Sequence, residues 1–120
     1  CTAIGKVLLA QLSPEQLDEY LAPGDFVSLT ENTISQPGCL RTELEEVRNQ
    51  GWAIDRGEMY PELRCLAAPI HDRTGRVMAA ISVTDTCNNE SLYDVEEELL
   101  KLLPRITEAA EEISALLLVP

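Results

Sequence analysis

Three side chains in the segment from Arg64 to Asp85 combine reactive or hydrogen-bonding groups with strand-like surroundings. The segment reads RCLAAPIHDRTGRVMAAISVTD, and its polar positions include Cys65, Ser82 and Thr84. A thiol can act as a nucleophile or a redox group, and hydroxyl groups can donate hydrogen bonds to an anionic ligand. These residue types therefore favour either thiol chemistry or the binding of a small polar molecule.

The same segment is predicted to form a β-hairpin. Its turn is DRTG at 72–75, because Gly75 suits the left-handed position of such a turn. We take His71 to face Arg76 across the turn, which fixes the register of the two strands. The predicted opposite pairs are Cys65 with Ser82, Leu63 with Thr84, Ala67 with Ala80 and Pro69 with Met78.

Alternation of side chains gives this hairpin two unlike faces. The paired residues form a face of small and polar side chains with few charges, which is typical of a sheltered pocket. The opposite face is almost wholly apolar and is predicted to pack against the main core: Leu66, Ala68, Ile70, Val77, Ala79, Ile81 and Val83. A slip of one residue would exchange the faces. The alternative is that serine and threonine merely suit a solvent-facing strand.

Thiol chemistry at Cys65 has two forms, an enzyme nucleophile and a redox sensor. A nucleophile needs a histidine base within reach, and the one histidine, His71, lies about 20 Å along the strand. An enzyme is therefore not expected. A redox sensor needs a cation that lowers the pKa of the thiol, and the adjacent Arg64 points to the opposite face. Redox sensing through Cys65 stays open as an alternative function.

Composition limits the class of protein. With 120 residues and 45% hydrophobic content, residues 1–120 are predicted to form one domain with its own core. The net charge of -12 argues against nucleic-acid binding by this segment and against an anionic membrane surface. The four cysteines contain no CxxC pair, so no structural zinc is expected, and reduced cytosolic thiols are favoured over disulfides. Charges interrupt the apolar run from Leu99 to Val119, which is not a membrane span.

Three helices are predicted ahead of the sheet. The first covers TAIGKVLLAQL with Thr2 as its N-cap, and the second covers SPEQLDEYL with Ser13 and Gln16 in a capping box. Pro23-Gly24 ends the second helix. The third covers PGCLRTELEEVRNQG and stops at Gly51. FVSLTENTIS, between the last two, is predicted to be partly extended. Lys6 is expected to be exposed to solvent on the first helix.

The remaining elements complete an α+β arrangement. WAID at 52–55 is predicted as a short strand, 56–62 as a loop, and a long helix should run from about Asp94 to Leu118. Pro104 should kink that helix or split it in two. The predicted order is α, α, α, β, β, β, α, with an antiparallel sheet covered by helices.

At this level of detail the chain resembles the effector-binding domain of the IclR family of bacterial transcription regulators. The residues that carry the resemblance are CTAIGKVLLAQLSPEQ, then GWAIDRGEMYPELRCLAAPIHDRTGRVMAAISVT. They match a TAxGK-type opening, a G-[YW]-x-x-D turn and strand, an L-R-C-[LV]-A-A-P segment and an AA-[IL]-S-V strand. This order and spacing is specific, although no single motif is.

The resemblance implies a GAF/PAS-like fold that binds a small carboxylate effector and needs no metal or cofactor. It further implies a partial domain, because family members carry strands before the TAxGK motif. Members assemble as homodimers or homotetramers in the cytoplasm and contact operator DNA through a separate winged helix-turn-helix domain. For this chain, DNA binding is therefore expected only through a domain outside residues 1–120. The other function left open is an oligomerisation module without a ligand.

Family effector contacts carry over to eight residues of this sequence: Ala3, Ile4, Gly5, Asp55, Leu63, Cys65, Ser82 and Thr84. The start of the first helix suits a carboxylate, because its free N–H groups carry a partial positive charge. Each residue also has a structural interpretation. Asp55 could instead cap the loop that follows it, Cys65 could be a small core residue, and Gly5 could allow close helix packing.

Overall fold

The computed structural model describes residues 1–86 and 92–117, the side chains of residues 92 and 93 excepted. Its α+β architecture confirms the predicted fold class. The elements in chain order are α1 (Ala3–Leu9), α2 (Pro14–Leu21), α3 (Pro37–Gln50), β1 (Ala53–Arg56), β2 (Leu63–His71), β3 (Val77–Thr86), α4 (Leu92–Leu100) and α5 (Leu103–Leu116).

Local capping fixes one end of each of the first three helices as predicted, although α1 ends at Leu9 rather than at Leu12. The Gly5 N–H donates to Thr2 Oγ1 at 2.9 Å, and Ser13 and Gln16 form the reciprocal capping box of α2. Gly51 ends α3 in the left-handed conformation, with φ 83°, and its N–H donates to Val47 O. These ends follow from side chains within a few residues of one another, which is why the sequence alone identifies them.

The predicted long helix is two helices, α4 and α5. Pro104 stands in the first turn of α5, where a backbone N–H has no helical partner to lose. The split is therefore confirmed. The predicted end at Leu118 lies outside the described residues.

The segment between α2 and α3 contains no strand, although one backbone hydrogen bond joins its two sides, from the Phe26 N–H to Ser35 O at 2.7 Å. The hydroxyl groups of Thr30 and Thr33 instead donate to the carbonyl oxygens of Gly57 and Glu58, at 2.6 and 2.5 Å. This irregular loop is therefore attached to the loop after β1 by threonine side chains rather than by a strand ladder.

The sheet is antiparallel with the strand order β1-β2-β3, and its register differs from the predicted one. Cys65 lies opposite Thr84 rather than Ser82, and Ala67 lies opposite Ser82. Leu63 lies opposite Thr86. The whole ladder around the polar residues is thus shifted by two residues.

Two features near the hairpin tip cause this shift. The Asp72 N–H donates to Arg76 O at 2.8 Å, so Asp72 and not His71 faces Arg76, with Gly75 at φ 82° in the turn. A bulge at Met78 adds the second residue of the shift. His71 pairs with Val77, but Ile70 pairs with Ala79, so Met78 is an extra residue in β3. Since the total shift beyond the bulge is even, the side chains of β3 from Ala79 onward stay on the face that the alternation predicted. Val77 lies before the bulge, and its predicted place on the apolar face is wrong: it pairs with His71 and packs in the cluster formed with α1 and α3.

Helices cover both faces of the sheet. On the apolar face, Leu66, Ala68 and Ile70 pack with residues of α4 and α5. On the face of small residues, Ala67 is fully buried in a second cluster with residues of α1 and α3. The prediction of open space above the small-residue face therefore holds for only part of its length. α1 crosses this face, and an open pocket lies at the N-terminal end of the helix.

Candidate functional site

A row of polar side chains crosses all three strands. Asp55 of β1 lies opposite Cys65 of β2, which in turn lies opposite Thr84 of β3. The Cys65 Sγ and Thr84 Oγ1 atoms are 3.3 Å apart, within hydrogen-bond distance for sulfur. Register therefore places three of the predicted site residues side by side.

An open pocket of about 400 Å³ lies between this row and the start of α1. It is lined by Thr2, Ala3, Ile4, Cys65 and Ser82. Four of these, all except Thr2, are predicted effector contacts, and they come from the start of α1 and from the strands β2 and β3. We call this space the effector pocket. Ligand contact at these residues stays a prediction.

The first turn of α1 offers backbone donors to this pocket. The N–H groups of Gly5 and Lys6 are used by Thr2, at 2.9 Å and 3.0 Å. In the described part of the chain, the N–H groups of Ala3 and Ile4 have no hydrogen-bond partner, as expected for the first amides of a helix. Two backbone donors and the Ser82 hydroxyl thus remain available to a ligand.

The other four predicted contacts do not line the effector pocket: Gly5, Asp55, Leu63 and Thr84. A Cβ on Gly5 would lie 2.7 Å from Thr2 Oγ1, so this glycine makes room for the helix cap. Its predicted alternative, close packing between helices, is therefore not the reason for glycine here. Thr84 is exposed, and it reaches the pocket only through its contact with Cys65.

Asp55 has the capping role that the sequence left open. It is 4% exposed, and its Oδ1 accepts a hydrogen bond from the Glu58 N–H at 2.9 Å. The carboxylate thereby fixes the turn after β1. It also lies beside the Cys65 thiol, so a ligand over Cys65 would sit close to a buried negative charge.

The environment of Cys65 makes its thiol a weak nucleophile. Burial raises the pKa of the Cys65 thiol, the hydrogen bond with Thr84 lowers it, and the charge and hydrogen bond of Asp55 raise it again. The net result is a pKa above the ordinary value of a thiol. A redox sensor needs the opposite shift, because the thiolate is the reactive form.

The predicted exposure of Lys6 is wrong. Its side chain is 3% exposed, and Nζ donates to Glu58 Oε2 at 2.7 Å, to Ile54 O at 2.8 Å and to Glu43 Oε1 at 3.0 Å. The spacing of buried residues along α1 indicates that the Lys6 side chain is buried. Lys6 stands three residues after buried Ala3 and four before buried Ala10, on the same face of α1.

Two further properties concern the described residues only. Among them, no group of three or more His, Cys, Asp or Glu side chains is placed to hold a metal ion. Their helices are also too short or too polar to cross a lipid bilayer.

Comparison with known proteins gives one consistent family. Residues 1–115 match the model for "Bacterial transcriptional regulator IclR C-terminal". The HTH-type transcriptional regulator KdgR of Escherichia coli K12 is 37% identical over 114 residues, which are 95% of this chain and 42% of KdgR. The chain therefore spans less than half the length of this curated relative.

Solved structures agree with the family assignment. The C-terminal domain of E. coli KdgR superposes with a TM-score of 0.82 at 36% identity, covering 97% of this chain and 68% of that one. A double mutant of the PobR inducer-binding domain from Acinetobacter superposes with a TM-score of 0.78 at 25% identity, covering 94% of this chain and 65% of that one. These relatives are transcription factors rather than enzymes. The chain belongs to the IclR family of bacterial transcriptional regulators and corresponds to their C-terminal, effector-binding domain.

Proposed function

We propose that this domain senses a small carboxylate, bound in the effector pocket, and that binding modulates operator recognition by the regulator that contains it. The observation that carries the proposal is the convergence of unpaired donors at one place. The N–H groups of Ala3 and Ile4 and the hydroxyl of Ser82 surround a space of about 400 Å³. Hydrogen bonds to a charged acceptor are worth about 1.5–3 kcal/mol each, so three of them would offset a large part of the cost of association.

Specificity would come from these local donors and not from long-range attraction. The chain carries a net charge of -12 and Asp55 lies near the pocket floor, so the overall field repels anions. The carboxylate would therefore bind at the α1 end, with the rest of the ligand over Cys65. The PobR domain named above was solved as a complex with 3-hydroxybenzoic acid, a carboxylic acid of suitable class.

The effect on DNA would follow from a shift between two states of an oligomer. A ligand changes such an equilibrium only if it binds one state more tightly than the other. We infer a homodimer or homotetramer that contacts DNA through a winged-helix domain outside residues 1–120, because the acidic surface of this domain does not suit a phosphate backbone. A cytoplasmic location follows from the same role.

Ser82→Ala tests the proposal directly. Isothermal titration of the intact regulator with 3-hydroxybenzoate, pyruvate and a panel of sugar acids should identify at least one ligand. Ser82→Ala should then weaken that ligand by about 10- to 100-fold, which corresponds to the loss of one charge-assisted hydrogen bond. Ser28→Ala is the matched control, because Ser28 is an exposed serine outside the pocket.

Equal affinity of wild type and Ser82→Ala would contradict the placement of the ligand. Absence of binding across the panel would contradict the carboxylate class. The redox alternative is disfavoured by the raised pKa of Cys65, and we do not propose it.

A further inference from the structure

The buried lysine of α1 is the centre of a polar cluster that lies behind the effector pocket. Lys6 stands two residues after Ile4, which lines the pocket. Its Nζ donates to Glu58 Oε2 at 2.7 Å, to Ile54 O at 2.8 Å and to Glu43 Oε1 at 3.0 Å. These three acceptors match the three protons of an ammonium group. One side chain thereby attaches α1 to the end of β1, to the loop after it and to α3.

Glu58 holds the loop after β1 against the same lysine. Its Oε2 also accepts from the Arg56 N–H at 3.1 Å, and its own N–H donates to Asp55 Oδ1 at 2.9 Å. Because Glu58 is 4% exposed, water competes little for these hydrogen bonds. Asp55 in turn lies opposite Cys65, which lines the effector pocket. The loop is therefore connected to the pocket through Asp55 and to α1 through Lys6.

The two sides of the effector pocket are thus joined by one chain of polar contacts. One side is α1, with Ala3 and Ile4, and the other is the sheet, with Cys65 and Ser82. The apolar contacts between these sides are made by small side chains, with Cys65 packed against the cluster that contains Ala3. Apolar contacts are not directional, whereas hydrogen bonds constrain both distance and angle. The polar cluster is therefore the more exacting constraint on the gap between α1 and the sheet.

We propose that Lys6 and Glu58 are positioning residues of the effector pocket, which set the gap between α1 and the sheet and thereby select the size of the ligand. Neither residue lines the pocket, so both act through α1 and Asp55 rather than by touching the ligand. The nature of the ligand rests on the proposed function, but the gap can be measured without any ligand.

Alkylation of Cys65 by iodoacetamide measures the gap directly, because Cys65 packs against the cluster that includes α1. In the intact regulator, Lys6→Met should raise the rate at Cys65, relative to the exposed Cys39, by about 3-fold or more, since local opening admits the reagent. Leu99→Ala is the control for lost stability, because Leu99 is buried on the opposite face of the sheet. No increase in Lys6→Met, or an equal increase in Leu99→Ala, would overturn the inference.

Glu58→Gln provides a second variant in case Lys6→Met does not fold. It keeps the size of the side chain, and Lys6 keeps the acceptors of Ile54 and Glu43. The rate at Cys65 should therefore increase less, by about 2-fold. Arg41→Met removes an exposed ion pair of the same 2.7 Å length and should leave the rate unchanged.

Titration with pyruvate and 2-oxobutyrate, which differ by one methylene group, measures the selection of size. A smaller folded fraction would weaken both acids by the same factor. A wider gap should instead shift the ratio of their affinities by about 2- to 4-fold in favour of the longer acid, because one buried methylene group is worth about that factor. An unchanged ratio in Lys6→Met would contradict size selection. Failure of the whole carboxylate panel would count against the proposed function, and the alkylation of Cys65 would still decide whether Lys6 and Glu58 set the gap.

Discussion

Removing one partner of the ion pair between Lys6 and Glu58 should cost far more stability than removing one partner of a surface pair of the same length. The distance is 2.7 Å in this pair and also 2.7 Å between Arg41 and Asp18. The side chains of the first pair are 3% and 4% exposed, whereas those of the second are 41% and 66% exposed. The two pairs therefore differ in solvation and not in contact distance.

Lys6→Met keeps most of the aliphatic stem and removes the charge. It leaves the buried Glu58 carboxylate without its cation, and breaking such a pair costs about 3–5 kcal/mol. Arg41→Met removes a solvated partner and should cost at most about 1 kcal/mol. Urea unfolding, followed by circular dichroism, measures both changes in the free energy of unfolding.

A double-mutant cycle separates the pair energy from the penalty of the unpaired charge. Lys6→Met combined with Glu58→Gln should recover at least about 1 kcal/mol relative to the sum of the single changes, because the buried Glu58 side chain no longer carries a charge without its cation. The Arg41→Met and Asp18→Asn cycle should show a coupling below about 0.5 kcal/mol. If Lys6→Met destabilises no more than Arg41→Met, the argument from burial is refuted.

Two further predictions concern the thiol and the hairpin turn. Because its pKa is raised, Cys65 should react with iodoacetamide more slowly than the exposed Cys39 at pH 8. The rate at Cys65 should still be rising above pH 9, the ordinary pKa of a thiol. Peptide mass spectrometry measures both sites, and equal rates would contradict the effect of burial. Gly75→Ala should cost about 1 kcal/mol of stability, because φ is 82° there. Gly38→Ala, in the first turn of α3 with open space around it, should be neutral or stabilising by up to about 1 kcal/mol. Thermal unfolding measures both changes, and a loss of stability in both variants would show that the backbone conformation is not the cause.

Features set by neighbouring residues could be predicted from the sequence. The caps at Thr2 and Ser13, the stop at Gly51 and the split near Pro104 each depend on a few consecutive residues. The two faces of the hairpin are also predictable from Ala79 onward, because alternation depends on the parity of each position, whereas the bulge places Val77 on the opposite face. This is why Cys65 was correctly grouped with residues of β3 although its partner was misidentified.

Features set by distant residues could not be predicted in the same way. The partners of Lys6 lie 37 and 52 positions along the chain, so the sequence gives no direct sign that a lysine is neutralised there. The register depends on an extra residue at Met78 that no local pattern demands.

The bulge at Met78 has a practical consequence for protein engineering. It stands between the hairpin turn and the strand positions that carry Cys65 and Ser82, so it sets which face of the sheet the later residues of β3 present. Deleting Met78 while keeping the turn would move Ser82 to the other face, because a shift of one residue reverses every side chain. A fluorescent label is therefore better attached at the exposed turn residues 73–76 than anywhere between Met78 and Ser82.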